Sequence, residues 1–372
     1  MKVLLTATVQ SHICQFHKLL AEILHQHGCE VHVAARDNLA EKNGLKLDFV
    51  DKAYDVPFAR SPKSTENIEA YRILKKIIAT EQYDIIHCNT PMGGIVTRLA
   101  ARKARMCGTK VYYMAHGFHF YKGAPKKNWL FYYPLEKLFS RITDKLITIT
   151  YEDYKLASKR FHCQAEHIHG VGVDEKRFFS VSDEVKEKLK AEMGYKKDQK
   201  IILCVGELNS NKNQIMAIRM MQYLVKSYPN VQLLIAGNGS GKDYLEREIK
   251  ASGLNENIRI LGYVTNLQDY QHIADVSVSC SKREGLPLNI VEAMFSGTPV
   301  VASNNRGHRE LIHGGKNGYL FSIEDVQEMA DKVQLLLGDD RVAEKISKTA
   351  LEHIVKYGFC NVKKELVKIY EF

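Results

Sequence analysis

Glu284 and Glu292 bracket Gly285, Leu286, Pro287, Leu288 and Asn289 within residues 280–302, CSKREGLPLNIVEAMFSGTPVVA. An apolar strand is expected to end at Cys280, with Glu284 and Gly285 in the loop beyond it and a helix opening at Pro287. Proline suits a first helical position because its missing N–H is one the helix cannot pair, and Gly297 supplies the stop. The start of such a helix presents unpaired amides at Leu288, Asn289 and their neighbours, and its dipole attracts a pyrophosphate. Glu292, about one turn further in, is placed to reach a ribose diol, and Glu284 to accept hydrogen bonds from sugar hydroxyls. Loop, helix start and paired carboxylates read together as a site for a sugar nucleotide.

The segment resembles the E-x7-E motif of the retaining GT-B glycosyltransferases of family 4, including its E-G-[FL]-P, E-A and G-x-P-V-V surroundings. That resemblance implies a first glutamate on donor-sugar hydroxyls, a second on ribose, and a diphosphate held by the amides between them. Residues 205–213 (VGELNSNKN) are similar to the family's V-G-R-L-x-x-x-K-G loop, which assigns Gly206, Glu207, Asn209 and Lys212 to the donor. Lys212 then lies on the phosphates, where it offsets charge growing on the leaving diphosphate. Glu207 stands where the family has arginine. Either another cation substitutes, or the diphosphate leans more on Lys212 and the helix dipole. Residues 234–239 (LIAGNG) resemble the family's strand and G-x-G turn, which brings in Gly239. Residues 261–275 resemble the segment receiving the nucleobase, with Tyr263 and Val264 beside the uracil.

In the first half, residues 113–120 (YMAHGFHF) carry His116 just past a strand. The family has a histidine there, near the reacting carbon of the donor, so the resemblance makes His116 catalytic alongside Lys212 and Glu284. His12 and His119 fall in loops at the same expected face, Phe120 follows the latter, and Asn89 ends another strand in residues 88–94 (CNTPMGG). These four are the candidate acceptor contacts. The family's glycine-rich first loop is replaced by residues 8–12, TVQSH.

The elements that must position these groups are legible as alternation. Strand-like runs at 3–8, 31–35, 84–88, 110–114 and 146–150, then 201–205, 232–236, 258–261, 276–280 and 299–302, alternate with helical patterns. The helical patterns lie at 16–27, 67–80, 93–106, 183–193, 214–228 and 325–337. Most of the runs are apolar throughout, as parallel strands covered on both faces require. Such alternation describes doubly wound α/β domains, and 372 residues exceed what one core supports. The expected fold is α/β of the GT-B type. An N-terminal acceptor-binding Rossmann-like domain covers 1–175, a C-terminal nucleotide-sugar domain covers 176–352, and the two face across a cleft. A helix over 353–372 crosses back to the first domain.

The net charge of +10 sits mostly in the first half, where residues 1–180 hold 27 Lys+Arg against 18 Asp+Glu. Residues 98–145 carry eleven basic residues against Glu136 and Asp144 only, interleaved with aromatics. This suits either a solvated basic face or an anionic membrane surface, and no nucleic-acid motif accompanies it. Eight scattered cysteines without a C-x-x-C pair argue against a disulfide framework or zinc site. No D-x-D stands at a strand end, so no metal and no cofactor beyond a UDP-sugar co-substrate is expected. The N-terminal apolar run is too short for a signal peptide and no stretch of about 18 apolar residues could span a bilayer. The chain is therefore expected in the cytoplasm, peripheral at the inner face of the cell membrane.

Resemblance to bacterial capsule and exopolysaccharide enzymes implies retaining, metal-independent transfer of a hexose or N-acetylhexosamine. The donor is a UDP-sugar and the acceptor a polyprenyl-diphosphate-linked saccharide. No first-half carboxylate clearly fits the nucleophile of a double displacement; the resemblance instead implies front-face attack, with the diphosphate taking the acceptor proton. A sugar-nucleotide epimerase of the same architecture and a non-catalytic sugar-nucleotide-binding partner of a transferase complex are the alternatives.

Overall fold

The apolar runs assemble into two parallel sheets, each in its own compact unit: Met1–Gly172 with Phe359–Phe372, and Val173–Gly358. The computed structural model describes residues 1–42 and 44–372. The first unit contains β1 (Lys2–Val9), β2 (Glu30–Arg36), β3 (Lys52–Asp55), β4 (Ile85–Asn89), β5 (Lys110–Ala115), β6 (Lys145–Thr148) and β7 (Gln164–His167). They lie in the order β3-β2-β1-β4-β5-β6-β7. The second contains β8 (Ile201–Val205), β9 (Gln232–Ala236), β10 (Ile258–Gly262), β11 (Val276–Ser279), β12 (Val300–Ser303) and β13 (Tyr319–Phe321), in the order β10-β9-β8-β11-β12-β13. Both follow the doubly wound Rossmann pattern, so the strand order reverses at β1/β4 and at β8/β11. Ligands of such sheets sit beyond the strand carboxyl ends at these switch points.

Burial explains why the central strands read clearly. Along β8 and β9, Ile202, Cys204, Leu233 and Ile235 join a core with Met216, Met220 and Leu336. The intervening Ile201, Leu203 and Leu234 pack on the other face with Ile273. Successive side chains of a strand point to opposite faces, so a strand covered by helices on both sides must be apolar at every position. The edges differ. β3 (KAYD) has mostly exposed side chains, β7 (QAEH) is polar and at most half-buried, and β13 has three residues; the sequence reading contains none of them.

Two expectations need correction. The helix expected over 16–27 is two helices, Gln10–Phe16 and Lys18–Gln26, broken at His17 (φ −126°, ψ 10°). His12 therefore lies on a helix rather than in a loop. The returning tail begins at Phe359 rather than at 353, because the helix Asp340–Ile354 stays with the second unit, which itself begins at Val173. The returning helix Phe359–Tyr370 is anchored on the first sheet by Tyr370 Oη, 2.6 Å from His87 Nδ1, and by Lys145 Nζ donating to Ile369 O at 2.6 Å. No helix among the described residues is long and apolar enough to cross a membrane.

Candidate active site

At the switch point of the second sheet, the loop after β8 and the loop after β11 are laced together. Lys282 N donates to Asn211 O at 2.8 Å, and Asn211 Nδ2 to Arg283 O at 3.0 Å. Asn209 fixes the first loop, its Oδ1 accepting from the amides of Asn211 and Lys212 at 3.0 and 2.9 Å. Lys212 Nζ then reaches 2.6 Å from Glu284 Oε1, so side chains from two separate motifs meet as a partly buried ion pair. Glu207 is exposed and accepts from Asn209 Nδ2 at 3.1 Å, which turns its carboxylate to the loop's own geometry. Gly206 runs along the Lys212 side chain. A Cβ at Gly239 would lie 2.3 Å from Leu208 O, so glycine there permits the close approach of two loops.

Pro287 is the N-cap of the helix Leu288–Phe295 (φ −79°, ψ 104°), one position earlier than expected. No side chain caps this helix start among the described residues, so its first amides have no side-chain partner there. Asn289 Nδ2 donates to Val205 O at 3.1 Å and ties the helix start to β8. Leu286 and Leu288 pack against the core, and Gly285 lies between them and Glu284. Glu292 follows one turn in. Burial pushes its carboxyl up to about 7, with the nearby Arg177 acting in the opposite sense. Arg177 is itself held by Thr265 O at 2.7 Å and Gln268 Oε1 at 2.9 Å. Tyr263 is 46% exposed just past β10, and Val264 packs beneath it against the core.

The sequence reading missed a buried support behind Glu284. A Cβ at Gly307, in the helix Arg306–Leu311, would stand 2.7 Å from Glu284 Cβ, so that helix presses on the glutamate. His308 Nδ1 is 2.6 Å from Ser303 O, and its Nε2 is 3.1 Å from Ser279 Oγ. A carbonyl only accepts, so the proton is assigned to Nδ1 and the Ser279 hydroxyl donates to Nε2. Burial lowers the ring to about 4, which keeps it neutral. The available signal was Asn305, which caps this helix by accepting from His308 N at 3.1 Å.

At the switch point of the first sheet, β1 runs straight into the helix Gln10–Phe16. β4 turns into the helix Pro91–Met106 through Thr90, whose φ of 62° is strained for a β-branched residue. Thr90 Oγ1 is held 2.7 Å from Thr8 Oγ1. His116 Nε2 lies 3.3 Å from His12 Nε2 and 3.2 Å from Asn89 Oδ1. Asn89 is fully buried, its Nδ2 donating to Thr6 O at 3.2 Å, so it orients His116 where an acceptor contact had been expected. Phe120 is also corrected: it is 1% exposed and stacks on Phe118 at 4.7 Å, a core residue. His119 stacks instead on Tyr132, with ring centroids 4.7 Å apart.

His17 and His87 extend the histidine cluster, with His17 5.6 Å from His116 and 5.7 Å from His87 by ring centroids. Burial holds His116 down to about 4 and His87 to about 3, and His12 and His17 also lie well below the ordinary imidazole value. Four closely packed rings cannot share positive charge in so little water, so they are neutral at physiological pH. The ring nitrogens of His12, His17 and His116 all lie within 4.8 Å of one another, a grouping that could hold a metal ion.

Comparison with known proteins accords with this geometry. Residues 2–150 match the family model described as glycosyl transferase 4-like, and residues 185–353 that described as glycosyl transferases group 1. The chain is 40% identical over 371 residues to EpsD of Bacillus subtilis (strain 168), a candidate glycosyltransferase, covering 99% of this chain and 96% of that protein. It is 28% identical over 343 residues to the UDP-Gal:alpha-D-GlcNAc-diphosphoundecaprenol alpha-1,3-galactosyltransferase of Escherichia coli, covering 89% and 86% of the two chains. Among solved structures, Anabaena HepE in complex with UDP and glucose superposes with a TM-score of 0.79 at 18% identity, over 100% of this chain and 99% of that one, which supports the GT-B fold. Two Rossmann-like units, family matches in both, and a relative aligned nearly end to end establish that the chain belongs to the GT4-like glycosyltransferase family.

Proposed function

We propose that this glycosyltransferase moves a hexose or N-acetylhexosamine from a UDP-sugar to a saccharide carried on polyprenyl diphosphate. The transfer retains anomeric configuration, needs no metal ion, and serves capsule or exopolysaccharide assembly at the inner membrane face. The observation that carries the reading is the Lys212–Glu284 pair, 2.6 Å apart, in the same unit as an uncapped helix start that bears Glu292. A diphosphate on the helix amides takes over the Lys212 ammonium, which frees the Glu284 carboxylate to accept from sugar hydroxyls. Glu292 accepts from the ribose diol, and the uracil lies by Tyr263 and Val264. The names of the Escherichia coli relative and of the UDP-bound HepE complex support the acceptor and donor classes.

In the proposed step the acceptor oxygen bonds to the anomeric carbon on the face from which UDP departs. The bond from that carbon to the phosphate oxygen breaks, and the acceptor proton passes to the leaving phosphate. Lys212 and the helix amides stabilise the charge that develops there. His116, neutral in its buried setting, offers a sugar hydroxyl a hydrogen bond rather than a charge.

The test is UDP release by the purified chain with a panel of UDP-sugars, with and without an undecaprenyl-diphosphate saccharide, in EDTA. Release that requires the lipid-linked saccharide, with an α-linked product from an α-linked donor, is the expected result. Sugar conversion without acceptor would make the protein an epimerase, and binding without turnover a non-catalytic partner. Activity lost in EDTA and restored by zinc would bring the His12–His17–His116 cluster into the chemistry.

A further inference from the structure

His12 lies on the helix Gln10–Phe16 and His17 at its end. In a continuous helix, residues so spaced turn their side chains about 140° away from each other. The break at His17 undoes that divergence and leaves the two rings 5.5 Å apart by centroids. His116 joins them from a separate element, just past β5, its ring centroid 4.6 Å from that of His12 and 5.6 Å from that of His17. Three imidazoles are thus brought together that nothing in the order of the chain pairs.

Their spacing has the size of a metal's coordination shell. Imidazole nitrogens about 2.0–2.1 Å from a tetrahedral zinc stand about 3.3–3.4 Å from each other. His12 Nε2 and His116 Nε2 are 3.3 Å apart. All three ligand nitrogens lie within 4.8 Å, so the widest gap must close by about 1.5 Å at most, which rotation of one ring supplies. His17 is 1% exposed, and its Nε2 has no hydrogen-bond partner among the described residues. A buried polar atom left unpaired is costly, and a metal ion pairs it together with the other two.

The donor set selects the ion. Among the described residues no carboxylate or thiol belongs to the group, and imidazoles suit zinc, copper and nickel rather than magnesium or calcium. Three protein ligands leave a fourth tetrahedral position open, unlike the closed shell of a structural zinc. Binding uses the Nε2 lone pairs of His12 and His116, whose protons then sit on Nδ1. Asn89 Oδ1, 3.2 Å from His116 Nε2, is placed to accept from a water on the open position.

We propose that His12, His17 and His116 form an exchangeable zinc site, and that filling it inhibits transfer by withdrawing His116 from the donor sugar. The binding stands on the ring geometry alone. The inhibition rests on the role proposed for His116 in sugar transfer, and leaves that transfer itself independent of metal.

The full, untagged chain is titrated with Co2+ as a spectroscopic stand-in, then with Zn2+ in competition. One cobalt per chain is expected, with the strong visible absorption of a four- or five-coordinate ion and no thiolate charge-transfer band, and zinc should displace it. His17→Gln removes one ligand and should weaken both metals by about 100-fold or more, because changes behind a ligand already cost about 10- to 100-fold. His17 has no place in the proposed transfer. This variant should therefore turn over in EDTA as the parent does, and resist zinc at concentrations that reversibly halt the parent. Should His17→Gln fail to fold, X-ray absorption of the zinc-loaded parent counts the ligands directly, with three imidazoles at about 2.0–2.1 Å expected. No cobalt binding, octahedral cobalt, sulfur in the zinc shell, or undiminished binding to folded His17→Gln would overturn the site. Zinc that binds yet leaves transfer unchanged, or activates it, would overturn the inhibition. Cobalt binding is read without substrate, so a failed transfer assay and a failed metal site are told apart.

Discussion

Replacing Glu292 by glutamine should stabilise the second unit at pH 8 while weakening its response to UDP. Burial raises the Glu292 carboxyl from 4.5 to about 7. One unit of pKa is worth about 1.4 kcal/mol, so the charged form is disfavoured by up to roughly 3 kcal/mol. Part of the side chain remains accessible to solvent, and about 1–2 kcal/mol is the better working figure. Between pH 4.5 and 7 the folded chain holds a proton that the unfolded chain has released. Stability from this group is therefore present below 4.5, falls as pH rises, and is lost above about 7. Glutamine keeps the shape and carries no charge, so its gain should be near zero at pH 4 and full at pH 8. For a unit of this size the gain corresponds to about 3–6 °C in Tm. Differential scanning calorimetry of both proteins at the two pH values, with and without UDP, measures it. An equal change at both pH values, or a lower Tm at pH 8, would refute the idea that a buried carboxylate is kept for ligand binding at the expense of stability.

The first unit should show the opposite pH slope. His116 and His87, at about 4 and 3, lie below the unfolded imidazole value, so their stabilisation is present above about 6.5 and fades as pH falls. Amide exchange of β1 and β4, corrected for intrinsic rates, should speed up between pH 7 and 5, whereas unchanged protection would contradict neutral, buried rings. Among the glutamates, Glu292→Ala should weaken UDP binding, whereas Glu284→Ala should spare UDP binding and depress transfer; titration calorimetry and turnover assays together separate the roles, and equal loss of UDP affinity in both would contradict the split. Asn89→Ala should lower kcat by about 10- to 100-fold through misplacement of His116 and leave KM for the donor nearly unchanged, so a rise in KM alone would assign Asn89 to ground-state binding.

What could be read from the sequence followed from how each signal is encoded. Interior strands such as β8 are apolar at every position because helices cover both their faces, and they stand out in a single chain. β3 and β7, at the edges of the first sheet, have no fully buried residue, so their composition resembles that of a loop. The donor loops were legible because their chemistry is local: Glu284, Pro287 and Glu292 belong to one strand–loop–helix turn. The first unit's site is assembled from residues far apart in sequence. Its histidines come from one helix, the break that follows it, β4 and the residue after β5, and nothing near His17 in the chain announces that its ring turns toward His116. Asn89 and Phe120 were misassigned for a related reason. Position at or near a strand end is visible in sequence, but the direction of the side chain at that end is set by packing across the sheet.

Glu207 poses the remaining question, since an acid occupies the place where the family resemblance leads one to expect a cation beside a diphosphate. Its backbone carbonyl accepts from the buried Gln214 Nε2 at 3.0 Å, and its carboxylate accepts from Asn209 Nδ2 at 3.1 Å. Asn209 in turn holds the amide of Lys212. Glu207 thus shapes the loop that delivers Lys212, and its own charge stays in water, where repulsion of a phosphate is weak. Glu207→Gln separates the two effects, because the amide oxygen can still accept from Asn209 while the charge is gone. A unit charge several ångströms from a phosphate in a largely aqueous setting is worth about 1 kcal/mol at low ionic strength, roughly fivefold in Kd. UDP affinity should therefore rise by that factor in dilute buffer, and most of the difference should disappear in about 1 M salt, where the screening length is about 3 Å. Titration calorimetry at both ionic strengths decides it. A loss of affinity at low salt would mean that the carboxylate itself is needed in the loop. A gain that persists in high salt would mean that Glu207 acts by contact, and that the loop moves when the donor binds.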